Sequence, residues 1–215
     1  MGGLMPGYNS KDFFRGADVS RETFERLELF AALLKQWNPR INLVSKDSLN
    51  DLWRRHMADS AQLRDLIPAY DGALVDVGSG AGFPGMVLAI MGLAKVHLVE
   101  SSARKCVFLR EVARQTECET VIHNFRLGDD AAINLPLPKA DIITARAVVP
   151  LVKLLDIVFS LMYDRTCCMF HKGSRVEDEL TLAREKWRFE MERLPSNSDP
   201  SGVILRLSNI RRLPN

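Results

Sequence analysis

Ala73-Leu-Val-Asp-Val-Gly-Ser-Gly-Ala-Gly-Phe-Pro-Gly85 is the stretch on which the fold turns. An apolar run of strand length, 73–77, passes into four glycines within eight residues, and then into an apolar run of helical character over 86–91. A strand that ends in a glycine-rich turn and feeds a helix is how doubly wound sheets begin, and the turn is where they hold a ligand. The alternation continues downstream: strand 95–100, helix 103–116, strand 120–124, strand 141–146, helix 150–162, strand 166–171 and helix 177–186. Such alternation predicts an α/β chain with a mostly parallel sheet. The end of the chain, 188–194 and 202–210 around the turn-rich 195–201, reads as a hairpin-like closure with an antiparallel member.

Upstream of residue 71 the texture is helical. Phe24, Leu27, Phe30, Ala31, Leu34 and Trp37 recur at spacings of three and four, one stripe of an amphipathic helix capped by Ser20. Pro39 should stop that helix at Asn38, and a second helical piece over 49–66 should end at Ile67-Pro68. The expected organisation is a flexible N-terminus over 1–18, a helical segment over 19–70 and a ligand-binding domain over 71–215.

The 215 residues are 47% hydrophobic and 26% charged, with a net charge of +2, which excludes disordered, collagen-like and membrane-spanning classes and leaves the partner open. Cys106, Cys118, Cys167 and Cys168 form no C-x-x-C pair and read as reduced core residues, so no metal site is expected. No apolar stretch nears the ~20 residues that cross a bilayer, and residues 1–10 lack a basic region followed by an apolar one. The expected compartment is the cytoplasm.

Counted from Gly78, the turn reads G-x-G-x-G, whereas the dinucleotide fingerprint G-x-G-x-x-G would need glycine at position 83, where Phe83 stands. Preceded by Asp76, this is the arrangement of S-adenosylmethionine methyltransferases. A negative Asp76 would disfavour a pyrophosphate and favour a cationic amino-acid group. Glu100 ends the second strand 24 residues after Asp76, where an acid can accept both ribose hydroxyls of an adenosine, of NAD or adenosylmethionine alike.

Together with that turn, Gln36-Trp-Asn-Pro-Arg-Ile-Asn-Leu-Val44, Arg55-His-Met-Ala-Asp-Ser60, Lys105-Cys-Val-Phe-Leu109, Thr144-Ala-Arg-Ala147 and His171-Lys-Gly173 resemble the bacterial small-subunit ribosomal RNA guanine-N7 methyltransferases, also called glucose-inhibited division protein B. The likeness runs over most of the chain. It implies a class I S-adenosylmethionine methyltransferase fold: Rossmann-like, with a mostly parallel seven-stranded sheet, one antiparallel strand and a small helical N-terminal segment. It implies action on 16S ribosomal RNA or a small-subunit assembly particle; with no obvious dimer face in the sequence, a monomer is expected. The cofactor pocket implied by the resemblance takes Gly78, Phe83, Leu127, Gly128 and Arg146, to which the turn and the second strand add Asp76, Ser79, Gly80 and Glu100. Gly128 stands where many relatives carry an acidic residue.

The chemistry suits so sparse an inventory. Guanine N7 carries an in-plane lone pair and no proton, so methyl transfer from a sulfonium needs no general base. Alignment of the reacting atoms can be worth about 7–11 kcal/mol by itself. Arg146 and Lys172 are the candidates for positioning, and no nucleophile triad is expected. The base must leave the stack to be reached. Arg54, Arg55, His56, Arg104, Lys105, Arg126 and Lys172 are the candidates for holding the RNA, with Arg54, Arg104 and Lys105 readable equally as solvated surface cations. His97, His123 and His171 read as structural, and Trp37 and Trp53 as packing. The competing readings are a small-molecule adenosylmethionine methyltransferase, a nicotinamide-dependent oxidoreductase and a non-catalytic RNA-binding protein.

Overall fold

Strand β1 (Ala73–Val77) is buried at every residue, Asp76 included, as a strand must be when strands flank it and helices cover both faces. In a computed structural model that describes residues 7–128 and 137–214, it pairs in parallel with β2 (Val96–Glu100) on one side and β4 (Ala140–Arg146) on the other. The full order is β3-β2-β1-β4-β5-β7-β6, with β3 Thr120–Asn124, β5 Met162–Lys172, β6 Trp187–Pro195 and β7 Val203–Arg212. Among the described strands only β7 is reversed, antiparallel to both β5 and β6. The chain moves outward from β1 through β2 to β3, then returns to β4 on the opposite side of β1. The carboxyl ends of β1 and β4 therefore part at a topological switch point, where a crevice opens.

One face of the sheet is covered by α2 (Arg21–Ile41), α6 (Gly85–Ile90) and α7 (Ala103–Gln115), whose Phe30, Leu34, Met86 and Phe108 join Leu74, Leu98 and Ile142 in one cluster. Each such fully buried side chain contributes about 1.5–3 kcal/mol. The other face is covered by α8 (Leu151–Val158) and α9 (Val176–Lys186), against Val75, Val77 and Ile143. The four cysteines are unpaired, three of them buried. Among the described residues, no helix is long and apolar enough to cross a membrane.

Four local expectations are corrected. Residues within the stretch expected to be flexible form α1 (Ser10–Gly16), started by a capping box between Asn9 and Asp12 and pinned by Phe13 against Trp53. Helix α2 runs through Pro39 to Ile41: the proline gives up the N–H bond to the Lys35 carbonyl, and the packing of Trp37 and Ile41 on the core offsets that loss. Asn42, at φ 48, closes it with an N–H donated to the Asn38 carbonyl. The helical piece after it is broken into α3 (Lys46–Asn50), a π-helical stretch Trp53–Ala58, α4 (Asp59–Ala61) and α5 (Leu63–Leu66). The π stretch buries His56 and leaves Arg54 and Arg55 outside. Lastly, α8 gives way to a 3₁₀ turn at Phe159–Leu161, and β5 begins at Met162, with an exposed outer end over 163–165 that lacks a strand-like apolar signal.

Candidate active site

A cleft of about 710 Å3, open to solvent, lies at the switch point. Its walls are Val77 and Gly78 of the β1 turn, Val99, Glu100 and Ser101 at the end of β2, residues 125–128 after β3, Val148 and Val149 after β4, and Lys153 and Ile157 of α8. Glu100 is the acid of one wall. Its Oε2 accepts the Gly80 N–H at 2.9 Å and its Oε1 accepts the Ser102 N–H at 2.7 Å, so the carboxylate is fixed in place with lone pairs to spare. Leu127 and Ile157 add apolar side chains to the lining. Gly128 lies close beneath Ile157, whose Cγ1 would stand 3.1 Å from a Cβ at that position. An acidic side chain could not be placed there without displacing Ile157.

Asp76 does not line the cleft. It is fully buried, with Oδ1 accepting the Thr144 hydroxyl at 2.7 Å and Oδ2 accepting the Gly85 N–H at 3.3 Å. It is a pin for the turn, which corrects its assignment to the cofactor's amino group. The same bond bears on the turn's spacing. Counted from Gly80, Gly80-Ala-Gly82-Phe-Pro-Gly85 does satisfy G-x-G-x-x-G, so spacing alone does not separate the two cofactor classes. The Asp76 carboxylate, however, sits on the first N–H of α6, where a pyrophosphate would need to lie.

Burial pushes the Asp76 carboxyl up to about 6, helped by the Glu100 charge and opposed by hydrogen bonds from Thr144, Ser79 and Gly85. A folded-state pKa above the unfolded 3.8 means that the native state binds the proton more tightly. The stabilisation is complete below about pH 4 and is lost as pH rises through about 6, on the order of 3 kcal/mol at 1.36 kcal/mol per unit. In Asp76→Asn, the fall of the melting temperature between pH 5 and pH 7.5 is expected to shrink. An unchanged pH dependence would show that Asp76 does not titrate in this way.

The other turn residues divide. Gly78 lines the cleft, and Val148 lies over it. Ser79 is buried and donates its hydroxyl to the Asp76 carbonyl, and Gly80 serves Glu100. Phe83, assigned to the cofactor, instead packs away from the cleft, stacked on His56 at 4.7 Å and on Phe30 at 5.3 Å. It locks the N-terminal helices to the turn.

Arg146 also lies outside the walls of the cleft. Its Nη1 stands 3.4 Å from Asp59 Oδ2 at the joint between β4 and the N-terminal helices. His171 of β5 meets the same carboxylate oxygen at 3.4 Å. His56 is buried beside them, pushed down to about 3 by desolvation and by the charges of Arg146 and Arg55, so it is neutral and holds no RNA phosphate by charge. Lys172 requires the largest correction. Its side chain is 7% exposed, and Nζ donates to Glu179 Oε2 at 2.7 Å and to the Val149 carbonyl at 2.9 Å. It ties the loop after β4 to α9 and is not presented to RNA.

Arg55, Arg104 and Arg126 are exposed and Lys105 is half-buried; Arg54 is exposed but paired with Asp51 at 2.5 Å. Of these cations, Arg126 lines the cleft, joined there by Lys153. Val148, Lys153 and Ile157 were missed because a loop and one helix face carry no motif. Asp59 was missed although it sits in the Arg55-His-Met-Ala-Asp-Ser60 stretch.

The family model described as rRNA small subunit methyltransferase G matches residues 23–199. The chain is 48% identical over 205 residues to the ribosomal RNA small subunit methyltransferase G of Rhodospirillum centenum, an alignment spanning 95% of this chain and 93% of that one. It is 50% identical over 194 residues to the protein of the same name from Paramagnetospirillum magneticum, spanning 90% and 92%. Among solved structures, the ribosomal protein L11 methylase of Lactobacillus delbrueckii subsp. bulgaricus aligns with a TM-score of 0.56 at 16% identity, over 70% of this chain and 76% of that one, a likeness of fold. With a family match over most of its length and relatives near half identity, the chain belongs to the rRNA small subunit methyltransferase G family.

Proposed function

We propose that the protein transfers a methyl group from S-adenosyl-L-methionine to N7 of a guanine in 16S ribosomal RNA, in the cytoplasm, on the RNA itself or on a small-subunit particle. The observation that carries the reading is the cleft at the switch point, lined by the fixed Glu100 carboxylate and by the apolar Leu127 and Ile157. A carboxylate beside apolar side chains suits a ribose joined to a flat base. Glu100 would accept the ribose hydroxyls, Leu127 and Ile157 would enclose the adenine, and the Gly78 backbone would border the amino-acid end. The bound cofactor supplies an electrophilic methyl on a sulfonium.

The residues around the site suit an acceptor that needs no proton removed. His56, pushed down to about 3, is too weak a base to draw off a proton at neutral pH, and the Lys172 ammonium is committed to Glu179 and Val149. The chain's own work is to align the reactants and exclude water. Arg55, Arg104, Lys105, Arg126 and Lys153 supply positive charge for the phosphate backbone.

The test is labelled adenosylmethionine with unmodified 16S ribosomal RNA, followed by nucleoside analysis. Mild reduction and aniline should then cut the modified RNA at one guanine. With His56 titrating at about 3, the single-turnover rate at saturating cofactor and RNA should be flat between about pH 6.5 and 8.5. Methylation at N1 or N2 must lose a proton and would rise with pH. Uncut RNA with an N1 or N2 product would overturn the N7 assignment, and calorimetric heat with NAD in place of adenosylmethionine would overturn the cofactor.

A further inference from the structure

Two cations on separate elements line the cleft: Arg126, on the segment that follows β3, and Lys153, on α8. Both are exposed, and neither has an ion-pair or hydrogen-bond partner among the described residues. The neighbouring acids are already engaged. Glu100, the acid of the lining, accepts the Gly80 and Ser102 N–H groups. Asp156, three residues along α8 from Lys153, is paired with Arg212 at 2.7 Å.

Lys153 is the informative one. It stands in the first turn of α8, which carries no acid there, and a cation at that end of a helix opposes the macrodipole. Lys153 therefore costs its own helix stability. Glu179 reaches over from α9 to accept the Leu151 N–H at the same end, but its Oε2 is held by Lys172 at 2.7 Å. Leu151, Leu154, Leu155 and Val158 face the core, whereas Lys153 and Ile157, four residues apart, share the side turned to the cleft. A charge that works against its own helix, and stands without an anion at the rim of a ligand cleft, calls for an anion from outside. The phosphates of the RNA acceptor supply one.

We propose that the RNA backbone lies over the mouth of the loaded cleft, held by Lys153 and Arg126, and closes it, so that binding is ordered: the cofactor enters before the RNA, and the demethylated cofactor leaves only after it. The inference rests on the proposed function, which puts the cofactor in this cleft and names RNA as the acceptor. It commits the two cations to phosphate and not to the cofactor's own carboxylate. Each RNA-binding event then delivers one methyl group, and departure of the RNA limits release of the spent cofactor.

S-adenosylhomocysteine, which fills the cleft without reacting, is the probe. Its release is timed after excess unlabelled compound is added, at low salt, with and without unmodified 16S ribosomal RNA. RNA should slow release at least about tenfold in the natural protein and less than about twofold in the double variant Lys153→Gln, Arg126→Gln. Two further readouts separate charge from fold. The melting temperature of Lys153→Gln should not fall, because the charge that opposes the helix dipole is gone. The slope of RNA affinity against salt should become shallower by about 0.7 for each of the two contacts removed. Release that RNA leaves unchanged in the natural protein, or slows equally in the double variant, would overturn the inference and leave the cofactor site standing. A loss of probe affinity of about tenfold in the double variant without RNA would give the two cations to the cofactor's carboxylate and overturn it too. A natural protein that does not retain the probe at all would overturn the proposed function itself, and the inference with it. If the double variant no longer holds RNA at low salt, Lys153→Gln alone serves, and it should keep less than half of the slowing.

Discussion

Gly78→Val should weaken adenosylmethionine binding by at least about 100-fold, some 2.7 kcal/mol, while leaving a folded protein of lower melting temperature. Two effects add. Gly78 sits at φ +68, where an L side chain costs about 1–2 kcal/mol, and β-branching worsens it. A Cβ there would also lie 2.7 Å from Val148 Cγ2, closer than carbon atoms approach, so the turn or the loop after β4 must move. Both are walls of the cleft. Val148 is exposed, which lets the loop yield and spares the core. Gly80→Ala is the internal control. Its φ is +57, but the nearest atom to an added Cβ is the Gly78 carbonyl oxygen at 3.7 Å, so it carries the strain without the collision and should cost no more than about tenfold. Calorimetric titration beside thermal melts of both variants checks the pair, and undiminished affinity in folded Gly78→Val would remove the turn from the cofactor site.

The sheet was legible in the sequence because its signals are local. Parallel strands buried on both faces read as short apolar runs, and the clustered glycines mark a turn at which the backbone takes positive φ at Gly78, Gly80 and Gly82. Glu100 was legible for the same reason: a strand end and an acid at a set distance from the turn suffice to place it. What could not be read depends on partners distant in sequence. His171 reaches the Asp59 carbonyl across 112 residues, and no local pattern at either residue announces the other. The cofactor assignments of Phe83 and Asp76 fail alike. Each adjoins the turn, but the α2 helix and the β4 threonine draw their side chains inward. Pro39 shows the opposite limit, where a local rule for ending helices is overridden by the packing of Trp37 and Ile41.

Lys172 is the case in which a plausible functional reading and the structure lead to opposite measurements. A lysine closing an apolar strand at the ligand edge reads as a phosphate contact, and its loss would make RNA binding less dependent on salt by about one released counterion. The structure instead buries it between Glu179 and the Val149 carbonyl. Glu179 Oε2 also accepts the Leu151 N–H at 2.8 Å, so the pair fastens both the loop after β4 and the start of α8 to α9. Removing one partner leaves the other charge poorly solvated. Lys172→Ala should therefore lose about 3 kcal/mol of stability, the low end for a broken buried pair, because Glu179 remains 20% exposed. The slope of RNA affinity against salt should not change. Cofactor affinity should fall with stability, since Val149 lines the cleft and its carbonyl loses its anchor. Replacing both partners, Lys172→Met with Glu179→Leu, should recover much of the stability because neither charge is left alone, although the Leu151 N–H then loses its acceptor. Denaturant unfolding gives the first number and RNA titrations at several salt concentrations give the second. A stable Lys172→Ala protein with a shallower salt dependence would return Lys172 to the RNA and show that its ion pair opens when RNA binds.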